Sequence, residues 1–249
     1  MLDKYKITID QHLYEYKLSG KGKPTIVLLS GYDMLLDSWD KIRPEIEKHC
    51  TVFSYNRLDV GYSDNATSNQ CGVTIISNLR KLLMKLNIAP PYIIVGHSIG
   101  GLYANLYARL YPNEITGLVL IEATHPYHEE RLRKFKPPLY IRAINKSLDI
   151  LETFFSRKKY SELDSLNETA SQIKSSGSFP NLPLYVIAGK KKMLFEPEGL
   201  LELHLRNQQE LAAMSSNGEL IIAESSGHFP QDTQPELVSS IIIQLIGMY

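Results

Sequence analysis

The residues with the clearest chemical potential are Gly96-His97-Ser98-Ile99-Gly100, a G-x-S-x-G directly after the apolar run Tyr92 to Val95 and directly before the helically spaced segment Ser98 to Leu110. A serine on a tight strand-to-helix turn is exposed for attack, and the helix N-terminus behind it favours the negative charge that develops on the attacked carbonyl. Glycines at 96 and 100 leave room for neighbouring backbone around such a turn. A bare G-x-S-x-G also occurs as a small-residue packing turn, but a strand before it and a helix after it favour a nucleophile. With Ser98 attacking, an ester, thioester, lactone or activated amide gives an acyl-enzyme that water resolves.

That serine needs a base, and an imidazole titrating near neutrality can accept its proton and return it to the leaving group. Of the seven histidines, His228 stands in Ser225-Ser226-Gly227-His228-Phe229-Pro230, after the apolar run Leu220 to Ala223 and before the final helical segment. His97 adjoins the nucleophile, where packing suits it. His12 and His49 fall on outer elements and His204 on a helical stretch, whereas His125 and His128 lie at the entrance to an insertion and are candidates for substrate contact.

The elements that must hold these groups alternate along the chain. Lys6 to Asp10 and His12 to Lys17 alternate like a hairpin, and Thr25 to Ser30 is a continuous apolar run that reads as a buried strand. Helical spacing over Asp40 to His49, a strand over Thr51 to Tyr55, and helical spacing over Val73 to Leu86 follow, the last stopped by Pro90-Pro91. Beyond the serine motif come strands Gly117 to Ile121, Leu184 to Ala188 and Leu220 to Ala223, then a helix over Pro235 to Ile246. Near-continuous apolar strands between helices predict an α/β fold, a mostly parallel sheet flanked by helices, with the hairpin as its antiparallel edge. The interval between Ile121 and Leu184 breaks the rhythm; helical stretches at Leu139 to Phe155 and Tyr160 to Ile173 predict a small helical cap, 124–181, inserted into a single 1–249 domain.

Composition narrows the partner. Lys plus Arg equals Asp plus Glu at 27 each, so no global charge favours nucleic acid or an anionic membrane, and a small molecule is the expected partner. Two cysteines, Cys50 and Cys71, are too few for a disulfide scaffold. The start MLDKYKITID has no basic segment followed by an apolar one, and no run reaches the roughly 18 apolar residues of a membrane span, which together predict a cytoplasmic protein.

Taken together these motifs resemble the α/β-hydrolase superfamily over essentially the whole chain. Ser30-Gly31-Tyr32 followed by Trp39 is similar to the family's oxyanion loop, with Ser30 in place of the usual His. The resemblance implies backbone N–H donors from Tyr32 and Ile99, and it leaves Trp39, beside His125, as a candidate substrate contact. Tyr55-Asn56-Arg57 through Gly61-Tyr62-Ser63-Asp64 resembles the family's Y-D-R-x-G-x-G-x-S segment and reads as structural. The resemblance places the catalytic histidine at His228. The family's usual acid, in a G-x-x-D after the strand Leu184 to Ala188, is absent, because Gly189-Lys190-Lys191-Lys192 stands there. Haloalkane dehalogenases carry the acid at the end of the preceding strand, which here is Glu122; Glu196 is the fallback. Ser98, Glu122 and His228 keep the family's chain order, and a serine nucleophile argues against dehalogenase or epoxide hydrolase chemistry. The resemblance implies a serine hydrolase of carboxylesterase type acting on small to medium substrates without cofactor or metal. A C–C bond hydrolase, a cofactor-free haloperoxidase-like enzyme and a slow ligand receptor remain as alternatives on the same fold.

Overall fold

The computed structural model describes residues 3–132, 159–191 and 199–249. Its strands are β1 (Tyr5–Ile9), β2 (His12–Ser19), β3 (Thr25–Leu29), β4 (Val52–Tyr55), β5 (Tyr92–His97), β6 (Ile115–Ile121), β7 (Leu184–Gly189) and β8 (Gly218–Ala223), joined in one sheet in the order β1-β2-β4-β3-β5-β6-β7-β8. From β4 to β8 neighbours run parallel, whereas β2 is antiparallel to both β1 and β4. The β1–β2 turn is Asp10-Gln11, both at positive φ (47° and 70°), the backbone that matches the twist of a tight hairpin.

Alternation along the buried strands divides their side chains between two cores. Val27, Ile94, Leu118, Leu120 and Val186 face one, and Ile26, Ile93, Val95, Val119 and Ile187 face the other. Burying each such side chain contributes about 1.5–3 kcal/mol. The helices are α1 (Arg43–Ile46), α2 (Gly72–Lys85), α3 (Ile99–Leu110), α4 (His128–Leu132), α5 (Leu166–Ser175), α6 (Leu200–Ala212), α7 (Pro230–Thr233) and α8 (Pro235–Ile246). Leu79 of α2, Leu102 of α3, Ile173 of α5 and Leu211 of α6 close the first core; Ile46 of α1 and Val238 and Ile242 of α8 close the second.

Two expectations change. The stretch Asp40 to His49 is not one helix: a 3-10 turn at Leu36–Trp39 precedes the single turn of α1, because Pro44 has no N–H to bond the carbonyl of Asp40. The helix expected from Tyr160 begins only at Leu166, and the expected helical stretch Leu139 to Phe155 lies outside the described residues. What is described of the insertion is joined to the body. Thr169 Oγ1 accepts from Gly72 N (2.8 Å) and Gln172 Oε1 from Val73 N (3.0 Å), so side chains of α5 satisfy the orphan N–H groups that open α2.

Because β3, β5, β6, β7 and β8 run parallel, the loops after all five emerge along one edge of the sheet. Those loops carry Ser30 to Tyr32, Ser98, Glu122, Lys190-Lys191 and His228. Among the described residues, no helix is long and apolar enough to cross a membrane.

Candidate active site

Ser98 is the single residue between β5 and α3, with φ 53° and ψ −121°. A serine in that backbone region is strained, at a cost of order 1–3 kcal/mol, and the surroundings enforce it. Ser98 N donates to Ile121 O (3.0 Å), while Ser98 O accepts from both Gly101 N and Thr124 N (3.0 Å each). The turn is therefore stitched to the end of β6 on either side of Glu122. A Cβ on Gly100 would lie 2.2 Å from Leu29 O, and one on Gly96 2.6 Å from Gly100 O, so both glycines are required by backbone passing close to the serine. The hydroxyl is half-buried and makes no hydrogen bond among the described residues.

Glu122 is buried at the end of β6, with φ 48°. Its Oε1 accepts from Gly189 N (2.6 Å) and from His204 Nε2 (2.8 Å), and its Oε2 from His228 Nδ1 (3.2 Å). Burial alone would raise the carboxyl pKa, but the hydrogen bonds from His204 and His228, with that from Gly189, hold it down at about 2. An ionised carboxylate only accepts, so His228 Nδ1 is the donor to Oε2 and Nε2 lies on the other side of the ring.

His228 is 42% exposed at its side chain and is seated from below by His97. That ring is buried, and its Nε2 donates to His228 O (2.8 Å) with ring centroids 4.9 Å apart. Burial lowers the His97 pKa to about 4, so a neutral imidazole supports the loop. Ser98 is thus flanked by a neighbour that holds the His228 backbone and by a strand end that carries Glu122.

The loop after β3 is held by Arg57. Its Nη1 donates to Ser30 O (2.8 Å) and its Nη2 to Gly31 O (2.8 Å), and the buried guanidinium also pairs with buried Glu162 through Nε and through Nη2 (2.9 Å). With both preceding carbonyls fixed, the peptide carrying Tyr32 N has its direction set by its neighbours. Ser30, where the resemblance suggests histidine, accepts through Oγ from Trp39 Nε1 (2.9 Å). Asn56 spans the next layer, accepting from Leu36 N (2.7 Å) and donating to Glu15.

Comparison with known proteins agrees with this architecture. A family model described as the alpha/beta hydrolase fold matches residues 24–142, and the structure superposes on an alpha/beta hydrolase fold protein from Chitinophaga pinensis with a TM-score of 0.72, at 16% identity, covering 100% of this chain and 98% of that one. The chain has the α/β-hydrolase fold. A thermophilic esterase from Thermogutta terrifontis, with malate bound, superposes with a TM-score of 0.68 at 16% identity over 99% of this chain and 98% of the other. In sequence, the uncharacterized protein YqjL of Bacillus subtilis (strain 168) is 28% identical over 103 residues, 41% of each chain, so the alignment spans less than half the length of that relative.

On this hydrolase fold a cavity of about 240 Å³ opens beside the carboxylate and its two histidines. Leu132, Leu200, Leu201 and Leu203 give it apolar walls, and Glu122, His128, His204 and His228 its polar lining. Two expected substrate contacts do not reach it. Trp39 is completely buried, its indole N–H committed to Ser30 and its ring edge-on to His97 (6.5 Å between centroids); it supports the loop from beneath. His125 is buried too, accepting from Tyr127 N (3.1 Å) and lying 3.6 Å from Glu210 Oε2, and His128 takes the place in the lining. Glu196 lies outside the described residues. The sequence context of His204 places it only on a helix, and nothing in LLELHLRNQQ marks it as a partner of Glu122.

Proposed function

We propose that this protein is a serine hydrolase that cleaves a carboxylic ester, thioester or lactone of small to medium size. The observation that carries the reading is a serine held in a strained strand-to-helix turn at the same edge of the sheet as an imidazole whose Nδ1–H is committed to a buried carboxylate. Ser98 Oγ attacks the carbonyl carbon while His228 Nε2 takes the hydroxyl proton. Negative charge moves to the carbonyl oxygen, for which the N–H groups of Tyr32 and Ile99 are the donors; in such sites removing one donor costs about 3–4 kcal/mol. Collapse breaks the bond to the leaving group, which receives the proton from His228, and leaves Ser98 acylated. Water then repeats the sequence and releases the acid. Glu122 stays ionised throughout and stabilises the imidazolium.

The cavity borders the carboxylate and His228 rather than the serine: among the described residues, Ser98, Tyr32 and Ile99 are not in its lining. At about 240 Å³ it falls below the roughly 300–1,000 Å³ of common small-molecule sites, and its leucines suit an aliphatic group. In this reading residues 124–181 are the cap. Fold similarity to an esterase is in keeping with ester chemistry.

The test is labelling with a fluorophosphonate, located by intact-mass and peptide mass spectrometry, with Ser98→Ala and heat-denatured protein as controls and p-nitrophenyl esters of increasing acyl length beside it. One adduct per chain on Ser98, with turnover that declines for long acyl groups, is the expected result. A folded sample that takes no label and turns over no ester would overturn the assignment.

A further inference from the structure

The carboxylate of Glu122 is shared by two imidazoles, and the proposed mechanism uses only one. His204 Nε2 lies 2.8 Å from Oε1, opposite the oxygen that faces His228. A glutamate has one more rotatable bond than an aspartate, so its carboxylate plane is harder to fix. Gly189 N alone, at 2.6 Å, is a single point of attachment about which that plane can still turn. A second donor on the same oxygen, arriving from a different element, removes the freedom and leaves Oε2 aimed at Nδ1 of His228.

The placement of His204 is specified independently of this contact. One turn further along α6, Gln208 Nε2 donates to Ala123 O (2.8 Å), so positions i and i+4 of one helix grip consecutive residues, 122 by its side chain and 123 by its backbone. Arg131 ties the same helix to α4 through Asn207 and through Glu210 (2.6 Å). The side chain of His204 is 27% exposed against 6% for Glu122, and both line the cavity. His204, the more exposed of the two, therefore covers the Oε1 side of the carboxylate.

We propose that His204 is a positioning residue for catalysis: by donating to Glu122 Oε1 it fixes the carboxylate that orients His228. The proposal rests on the serine hydrolase reading. Because Gln208 and the Arg131 contacts hold α6 in place, substitutions at 204 leave the helix docked.

The experiment compares His204→Gln, whose amide N–H reaches about as far as Nε2, with His204→Asn, which is too short, and His204→Phe, which keeps the volume without a donor. Readouts are kcat and KM on a p-nitrophenyl ester, the second-order rate of fluorophosphonate labelling at Ser98, and the circular dichroism spectrum. A hydrogen bond to a charged group corresponds to about one to two factors of ten in rate. The Asn and Phe variants are expected to lose about 10- to 100-fold in kcat and in labelling rate, with KM within about twofold. Gln restores both to within a few fold of the parent. If Phe or Asn matches the parent, or if Gln is as slow as Asn, the positioning role is wrong while the hydrolase reading stands. Should the Phe variant not fold, the Gln and Asn pair decides. If the parent itself takes no label, the hydrolase reading fails, and the proposal falls with it.

Discussion

Replacing Glu122 with Gln tests the centre of the site, because the three hydrogen bonds to the carboxylate predict which way the amide will face. Two donors, Gly189 N and His204 Nε2, converge on Oε1, and one, His228 Nδ1, on Oε2. An amide has only one acceptor oxygen. Turned toward His228, it would point its NH2 at two donors; turned toward Gly189 and His204, it points its NH2 at one. The second orientation satisfies more bonds, and it forces His228 into the tautomer with the proton on Nε2, which cannot accept from Ser98. In the Ser-His-Asp proteases the corresponding change lowers kcat by about 10⁴, or about 5 kcal/mol, and a loss of about 10³- to 10⁴-fold is expected here.

The same substitution has a stability term. The carboxyl falls from 4.5 to about 2 on folding, which at 1.36 kcal/mol per tenfold in proton affinity is about 3 kcal/mol. Since the folded value is the lower one, this contribution is complete above about pH 4.5 and disappears as pH falls toward about 2. The Gln variant is thus less stable at neutral pH by at most about 3 kcal/mol, and less where the amide keeps two of its bonds. Steady-state kinetics on a p-nitrophenyl ester and urea unfolding at neutral pH measure the two terms. A folded variant within tenfold of the parent kcat would refute Glu122 as the acid.

A methyl group at residue 100 would overlap Leu29 O at 2.2 Å, so Gly100→Ala should destabilise by more than about 4 kcal/mol or abolish folding. Gly177, with nothing within 4 Å of its Cβ direction, serves as the control and should change by less than about 0.5 kcal/mol in urea unfolding. Arg57→Lys keeps the charge opposite Glu162 but loses the fork that holds Ser30 O and Gly31 O, so kcat should fall by more than about tenfold with KM little altered; unchanged kcat would detach that loop from catalysis. Burial lowers the pKa of both His97 and His125 from 6.5 to about 4, with Arg131 adding to the effect at His125. The unfolded chain therefore takes up these protons first, and stability should decline as pH falls from about 6.5 toward 4, by up to about 3 kcal/mol for each ring. A urea midpoint that stays level between about pH 7 and 5 would contradict this.

Much of the molecule is legible in the chain because local signals agree with tertiary ones. The apolar runs at Thr25 to Ser30, Tyr92 to Val95, Gly117 to Ile121 and Leu184 to Ala188 all become strands buried on both faces, since a parallel sheet covered by helices leaves them no wet side. Gly96 and Gly100 mark the turn because only backbone contact makes them obligatory. Pairings between distant elements are less visible. His204 meets Glu122 across 82 positions, and its neighbours in α6 look like those of any amphipathic helix. Trp39 reads as a ring for substrate because aromatic residues serve both purposes; its burial depends on how α1 and α8 close the second core. The Arg57–Glu162 pair likewise joins two segments that nothing local connects.

The surroundings of Glu122 also constrain the order in which the molecule can be made. All three donors to its carboxylate, from residues 189, 204 and 228, follow it in the chain. An ionised carboxylate shut away without them costs several kcal/mol, so the tip of β6 must stay hydrated until β7, α6 and the loop after β8 have been delivered. A chain still emerging from the ribosome can fold the turn around Ser98 yet lack both the base and the groups that seat its acid. On the proposed reading, hydrolytic competence would therefore arrive only with the finished sheet.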